Sequence, residues 1–79
     1  MARVLLFGRL SDAAGWRDRQ IDSPFLSALR ARLAEEDAVL GEALAGPGVQ
    51  VALDKVIVRG DAPLNAGTEV AFLPPMSGG

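Results

Sequence analysis

Two short apolar runs near opposite ends of the chain have the pattern of buried strands. Residues 2–7 read ARVLLF and are followed by Gly8, and residues 68–73 read TEVAFL and are followed by Pro74 and Pro75. Runs of this length that stop at glycine or proline fit strands better than helices. The pattern therefore predicts a first and a last strand, which we expect to lie side by side in one sheet.

The middle of the chain predicts three further strands. Residues 17–21 read RDRQI, a short and mostly polar stretch with Ile21 as its one apolar residue, which predicts a poorly buried edge strand. Residues 49–53 alternate more clearly, and the apolar residues 56–58 follow directly after Asp54 and Lys55. This spacing predicts two strands that are joined by a tight turn.

A helix is predicted between these groups of strands. Ser23 can accept a hydrogen bond from an unpaired backbone N–H, and Pro24 suits the first helical position, so we expect the helix to start there and to run to about residue 36. Three leucines recur at spacings of three and four residues and form one apolar stripe: Leu26, Leu29 and Leu33.

Residues 39–44 hold a second apolar set and predict a short second helix, which should end before the Gly-Pro-Gly of residues 46–48. Residues 12–16 predict a turn, and residues 59–66 predict an irregular loop.

The order of these elements indicates an α+β fold, in which a mixed sheet of about five strands packs on one main helix and a short second helix. A chain of 79 residues supports one core, so we expect a single domain at residues 1–73 and an extended, flexible tail at residues 74–79. One helix cannot cover both faces of such a sheet. We therefore predict a partner-binding face that contains Phe7, Ile57 and Leu73, the alternative being that these residues complete the core.

Composition excludes several classes of function. The chain is 49% hydrophobic and 23% charged, which is typical of a folded domain. It contains no cysteine and no histidine, and therefore has no thiolate nucleophile, disulfide, imidazole base or soft metal site. Its basic residues are few and interrupted by acids, which argues against binding to nucleic acid. The sequence contains no apolar run of 18 or more residues, which is the length that a membrane-spanning helix needs, so we expect a cytoplasmic protein.

The last four residues, Met76-Ser77-Gly78-Gly79, carry no side-chain charge. A frayed chain end would have this composition. Glycines without β-carbons would also pass a narrow channel and let catalytic groups approach the α-carboxylate. That carboxylate is ionised at neutral pH and can attack the α-phosphate of ATP to form an acyl-adenylate that is open to sulfur. A sulfur carrier without cysteine would have to hold its sulfur as a thiocarboxylate at Gly79.

Four segments together resemble a known family, the ubiquitin-like β-grasp sulfur carriers and, within them, the small subunit of molybdopterin synthase (MoaD). These segments are residues 4–7, 26–30, 51–54 and 63–79, and the run that ends in Pro-Pro-Met-Ser-Gly-Gly is the most specific of them. The resemblance covers essentially the whole chain.

The resemblance implies a β-grasp fold and a sulfur-donating subunit without catalytic side chains of its own. It implies that an adenylating enzyme activates Gly79 with MgATP, that a desulfurase or rhodanese supplies sulfur, and that this chain itself binds no cofactor or metal. The large synthase subunit would admit Pro75, Met76, Ser77 and Gly78 into its channel, within a heterotetramer. The thiocarboxylate would then supply the dithiolene sulfurs of molybdopterin.

Two alternatives remain open at the level of sequence. Thiamin-pathway sulfur carriers also end in Gly-Gly, although they usually lack the paired prolines. A ubiquitin-like modifier or a pure interaction module could use the same terminal glycine to join a lysine or simply to dock.

Overall fold

The computed structural model describes residues 1–75, which form one mixed sheet packed against helices on one face. The elements in chain order are β1 Ala2–Leu6, α1 Arg9–Ala14, β2 Asp18–Ile21, α2 Leu26–Glu36, α3 Ala38–Leu44, β3 Gln50–Leu53, β4 Val56–Val58 and β5 Glu69–Leu73. The strand order is β2-β1-β5-β3-β4. β1 and β5 are neighbours, as the sequence predicted, and the structure shows that they run parallel, whereas the other pairs are antiparallel.

The core lies between the sheet and α2. Alternate residues of the two central strands point into it, including Val4, Val70 and Phe72, each of which is 0% exposed. The predicted leucine stripe of α2 covers this face, because all three of its leucines are at most 1% exposed. The stripe is therefore confirmed as the main helical contribution to the core.

The predicted start of the main helix at Ser23 and Pro24 is wrong. The N-cap residue of α2 is Phe25, and the hydroxyl of Ser23 donates a hydrogen bond to the Phe25 carbonyl instead of accepting one from the helix. Two backbone bonds, from Leu26 N–H to the Ala62 carbonyl and from Leu64 N–H to the Pro24 carbonyl, tie this segment to a distant loop. These bonds hold the segment extended, so the helix begins only at Leu26.

The turn predicted at residues 12–16 is mostly helix α1. Gly8 starts this helix, and Gly15 ends it with φ 81°, where its N–H donates to the Ser11 carbonyl. The single buried side chain of α1 is Leu10, which is 1% exposed. One buried leucine in six residues gives too little periodicity to distinguish a short helix from a turn.

The tight turn predicted between β3 and β4 is confirmed. Asp54 and Lys55 adopt positive φ values of 47° and 71°, which is the conformation that a two-residue hairpin turn with right-handed twist requires. Asp54 also anchors the turn to β5, because its backbone N–H donates to the Glu69 carbonyl and its carboxylate accepts from the Glu69 N–H.

Within residues 1–75, none of the helices has the length and apolar character needed to cross a membrane.

Candidate functional site

The predicted chemistry depends on the C-terminal segment, residues 74–79, which directly follows β5. β5 lies in the middle of the sheet between β1 and β3, and it leads directly into Pro74 and Pro75, both of which are half-buried. The predicted reactive residue Gly79 and the predicted channel residues Met76, Ser77 and Gly78 lie outside the described part of the chain. Pro75 is the one predicted channel residue that lies within it.

Two glycines flank these prolines, which we call the exit prolines. Gly8 follows β1 and Gly48 precedes β3, so each lies beside the end of β5. A β-carbon at Gly8 would lie 3.2 Å from Pro74 Cγ, and one at Gly48 would lie 2.7 Å from Pro75 Cβ. The exit prolines therefore pack in positions that only residues without side chains leave free.

The sheet face opposite the helices, which we call the open face, carries a continuous apolar row. Strand register places four residues side by side across four strands: Leu5, Ala71, Ala52 and Ile57. The two alanines are 6–7% exposed but lie outside the helix-covered core cluster, whereas Ile57 at the edge is 44% exposed. The row therefore ends in a prominent apolar side chain with no helix packed over it.

The open face becomes charged toward the start of β5. Arg3 pairs in register with Glu69, and its guanidinium donates to the Asp18 carboxylate with a closest distance of 2.7 Å. The hydrogen bonds from Arg3 hold the pKa of Asp18 below its ordinary value, and the Asp18 carboxylate raises the pKa of Arg3. The apolar half of the face is thus the half that adjoins the exit prolines.

The three residues predicted for the partner-binding face lie at different points around this row. Ile57 lies on the edge strand β4, Leu73 is the last residue of β5, and Phe7 directly follows β1. Phe7 is 45% exposed and Leu73 is half-buried. Their contact with a partner stays a prediction.

Sequence reasoning missed the small residues of this region. Ala52 and Ala71 link Ile57 to Leu5, and Gly8 and Gly48 make room for the exit prolines. Alternation within β5 did indicate two apolar faces, but it could not decide which one the helix covers.

Within residues 1–75, no group of three acidic side chains is arranged to hold a metal ion.

The mixed sheet, the main helix across it and the central strand that leads to the C-terminal segment define a ubiquitin-like β-grasp protein. Two solved structures share this fold over 99% of the present chain. They are the crystal structure of SAMP1 from Haloferax volcanii, with a TM-score of 0.85, 23% identity and 98% of that chain covered, and the solution structure of the small archaeal modifier protein 1 (SAMP1) from Methanosarcina acetivorans, with a TM-score of 0.86, 19% identity and 95% covered.

The chain belongs to the ThiS family, whose model matches residues 4–79. It is also 33% identical over 81 residues to the molybdopterin synthase sulfur carrier subunit of Escherichia coli (strain K12), with 100% of both chains covered. The predicted resemblance is thus confirmed, and the chain is a sulfur carrier of the ThiS/MoaD type.

Proposed function

We propose that this chain is the sulfur carrier subunit of a molybdopterin synthase and carries its sulfur as a thiocarboxylate on Gly79. The observation that supports this most directly is the full-length similarity to the Escherichia coli subunit of that function. The central position of β5 adds support, because the strand delivers the C-terminal segment from the most strongly fixed part of the sheet.

The proposed loading has three chemical steps. A carboxylate oxygen of Gly79 attacks the α-phosphate of ATP on an activating enzyme, and pyrophosphate leaves. A persulfide on a desulfurase or rhodanese then attacks the carbonyl carbon of the acyl-adenylate through its outer sulfur, and AMP leaves. A second thiol reduces the resulting acyl disulfide, which releases the thiocarboxylate and leaves a disulfide on the donor side. When the thiocarboxylate sulfur attacks the pterin precursor, a thioester forms, and water hydrolyses it to leave the sulfur on the pterin and a carboxylate on Gly79 that can be loaded again.

The absence of cysteine and histidine is consistent with a carrier whose reactions are catalysed by its partner enzymes. The chain has no side-chain thiol to hold a persulfide and no imidazole to act as a base. The activating enzyme and the large synthase subunit therefore supply the catalytic side chains, and this chain supplies the reacting carbonyl group.

The apolar half of the open face is the proposed docking surface for the large subunit. It adjoins the exit prolines and carries the exposed side chains of Ile57 and Phe7. From Pro74, six extended residues span about 20 Å, which is enough for Gly79 to enter a partner's active site while the sheet remains outside.

Mass spectrometry of the intact chain tests the loading. After incubation with an activating enzyme, MgATP and a sulfur donor, we expect one oxygen to be replaced by sulfur. A variant with an alanine added after Gly79 should fold equally well and gain no sulfur. An unchanged mass of the native chain under conditions that load the Escherichia coli subunit would contradict the proposal.

A second experiment tests the pathway. The loaded chain, mixed with a large synthase subunit and the sulfur-free pterin precursor, should convert the precursor to molybdopterin. A loaded chain that leaves the precursor unchanged but supports thiazole formation would indicate a thiamin-pathway carrier. Adducts on protein lysines would indicate a modifier.

A further inference from the structure

We propose that Gly8 and Gly48 are positioning residues that fix the direction in which the C-terminal segment leaves the sheet. They do so by seating the exit prolines between the two strands that flank β5. The consequence for sulfur loading rests on the function proposed above, whereas the seating itself can be measured without it.

The strand register explains why these two glycines meet these two prolines. Leu6 pairs with Phe72 in the parallel β1–β5 ladder, and two residues further along each chain are Gly8 and Pro74. Gln50 pairs with Leu73 in the antiparallel β3–β5 ladder. Continuing that ladder by two residues brings Gly48 beside Pro75. The positions of Gly8 beside Pro74 and of Gly48 beside Pro75, which we call the seats, are therefore extensions of the sheet on both sides of its central strand.

Each seat is filled closely. The position of a β-carbon on Gly48 is 2.7 Å from Pro75 Cβ, a separation at which the proline ring or the backbone must shift. The corresponding position on Gly8 is 3.2 Å from Pro74 Cγ, which is also tighter than ordinary contact. Pro75 Cβ is bonded directly to the backbone and cannot yield by a change of rotamer, whereas Pro74 Cγ can move away only by a change of ring pucker.

Three other glycines show that this packing is not simply a result of backbone conformation. Gly15, Gly60 and Gly67 have φ values of 80–84°, close to the 82° of Gly48, but a β-carbon on any of them would meet nothing within 4 Å. Those three glycines satisfy the backbone requirement of a turn alone. Gly8 and Gly48 satisfy the backbone requirement and also leave space for a proline.

The packing of the first two residues of the C-terminal segment affects how readily the reacting group at its end reaches a partner's active site. Proline has a fixed φ, so two prolines that are held from both sides give the segment a defined initial direction. A reacting group that is tethered by a partly fixed segment loses less conformational freedom when it enters a partner's channel. Small displacements of a reacting carbon cost rate steeply, with about 1 Å corresponding to as much as 100-fold.

Paramagnetic relaxation provides a direct test. Because the chain contains no cysteine, the variant Ser77→Cys accepts a nitroxide at one site, and the broadening of backbone amides then maps where that label lies relative to the sheet. The map is recorded in three backgrounds: otherwise native, Gly48→Ala and Gly60→Ala. The last is the control, because it introduces the same positive-φ strain without a neighbouring proline.

We expect Gly48→Ala to change which amides around the end of β5 are broadened and Gly60→Ala to leave the map unchanged. In a Pro75→Gly background, which removes the opposing Cβ, Gly48→Ala should no longer alter the map. Identical maps for the two alanine variants in the native background would overturn the proposal. Should Gly48→Ala fail to fold, Pro75→Gly alone must change the map relative to the native chain, and an unchanged map overturns the proposal equally.

Loading kinetics, measured on the same glycine variants with native Ser77, test the consequence. We expect kcat/KM for sulfur loading of Gly48→Ala to fall at least tenfold below that of Gly60→Ala, with similar Tm values for the two variants. Equal kcat/KM values would remove the functional role of the seats. A native chain that is never loaded would refute the proposed function, while the relaxation maps would still decide the positioning.

Discussion

At the residue scale, Asp61 performs the capping role that the sequence suggested for Ser23. One of its carboxylate oxygens accepts from the Ser27 N–H at 2.8 Å and the other accepts from the Ser27 hydroxyl at 2.8 Å, 34 residues away along the chain. A carboxylate at a helix N-terminus satisfies an unpaired donor and interacts favourably with the helix dipole. Asp61 thereby joins the loop before β5 to the start of α2.

Because Asp61 caps α2 as a carboxylate, its contribution to the free energy of unfolding is lost when the pH falls low enough to protonate it. Hydrogen bonds from Ser27 and Ala62 lower the pKa of Asp61 in the folded chain. A carboxyl group with a lowered folded pKa stabilises the fold above its unfolded pKa, near 3.8, and that contribution is lost as the pH falls through the folded pKa.

We therefore expect Asp61→Ala to lower Tm by a constant amount above about pH 5, with the difference from the native chain shrinking as the pH falls below about 4. Thermal melts followed by circular dichroism across this range measure it. Asp22→Ala is the control, since within residues 1–75 the Asp22 carboxylate accepts no hydrogen bond. A Tm difference that does not vary with pH would contradict the assignment.

Lys55 is the residue with the clearest conformational cost. It adopts φ 71° in the turn between β3 and β4, a region that costs a residue with a β-carbon roughly 1 kcal/mol or more relative to glycine. We expect Lys55→Gly to raise the free energy of unfolding by about 1 kcal/mol in urea titrations. Lys55→Ala removes the same charge but retains a β-carbon, and it should change stability by less than about 0.5 kcal/mol.

At the scale of elements, the side chains of β4 alternate between the two faces of the sheet. Ile57 lies in the apolar row of the open face. Its neighbour Val56 pairs with Leu53, lies on the opposite face of β4 and is 64% exposed. The two side chains are both exposed and aliphatic, so they form a matched pair for testing the proposed docking surface.

We expect Ile57→Ala to weaken binding to the large subunit by about 1–2 kcal/mol, or roughly tenfold, and Val56→Ala to leave it within twofold. Calorimetric titration gives both affinities, and Tm values identify any loss of folding. Equal affinities for the two variants would show that the apolar row does not bind the partner.

The boundaries of α2 and α3 show that some helix ends depend on local contacts and others on contacts that are distant in sequence. Asp37 ends α2 and also caps α3, because one of its carboxylate oxygens accepts from the N–H groups of Val39 and Leu40 at 3.1 Å. This cap is encoded within four residues. The start of α2, in contrast, depends on Asp61 and on the backbone of residues 62–64.

At the scale of the whole molecule, β5 connects the buried core directly to the exit prolines. Phe72 is 0% exposed, and the Arg30 guanidinium carbon lies 5.4 Å from the centre of its ring. Both exit prolines follow it within three residues. A change in the core at Phe72 therefore lies within three residues of both exit prolines.

We expect Phe72→Ala to cost about 3–5 kcal/mol of stability, because it removes a fully buried ring from the middle of the sheet. For a domain of this size that loss is close to the whole free energy of unfolding. Urea titration measures the effect, and Phe7→Ala is the control because Phe7 is 45% exposed. Equal losses in the two variants would show that the core does not depend on the central strand.

The sequence by itself determined the features that arise from local pattern. The leucine stripe of α2, the strands at the two ends of the chain and the turn at Asp54 and Lys55 all follow from side-chain periodicity and turn chemistry, which act over a few residues. It also limited the chemistry available to the chain, because a composition without cysteine or histidine provides no side-chain thiol and no imidazole.

Only the tertiary structure decided which apolar set of β5 the helices cover, where α2 starts, and what holds the exit prolines. Each depends on groups far apart in sequence, such as Asp61 with Ser27 and Gly48 with Pro75. Such pairs meet only after the strands have taken their register, and period-two alternation is the same for either face of a sheet. The way in which the C-terminal segment leaves the sheet therefore depends on the folded sheet as well as on the segment's own prolines.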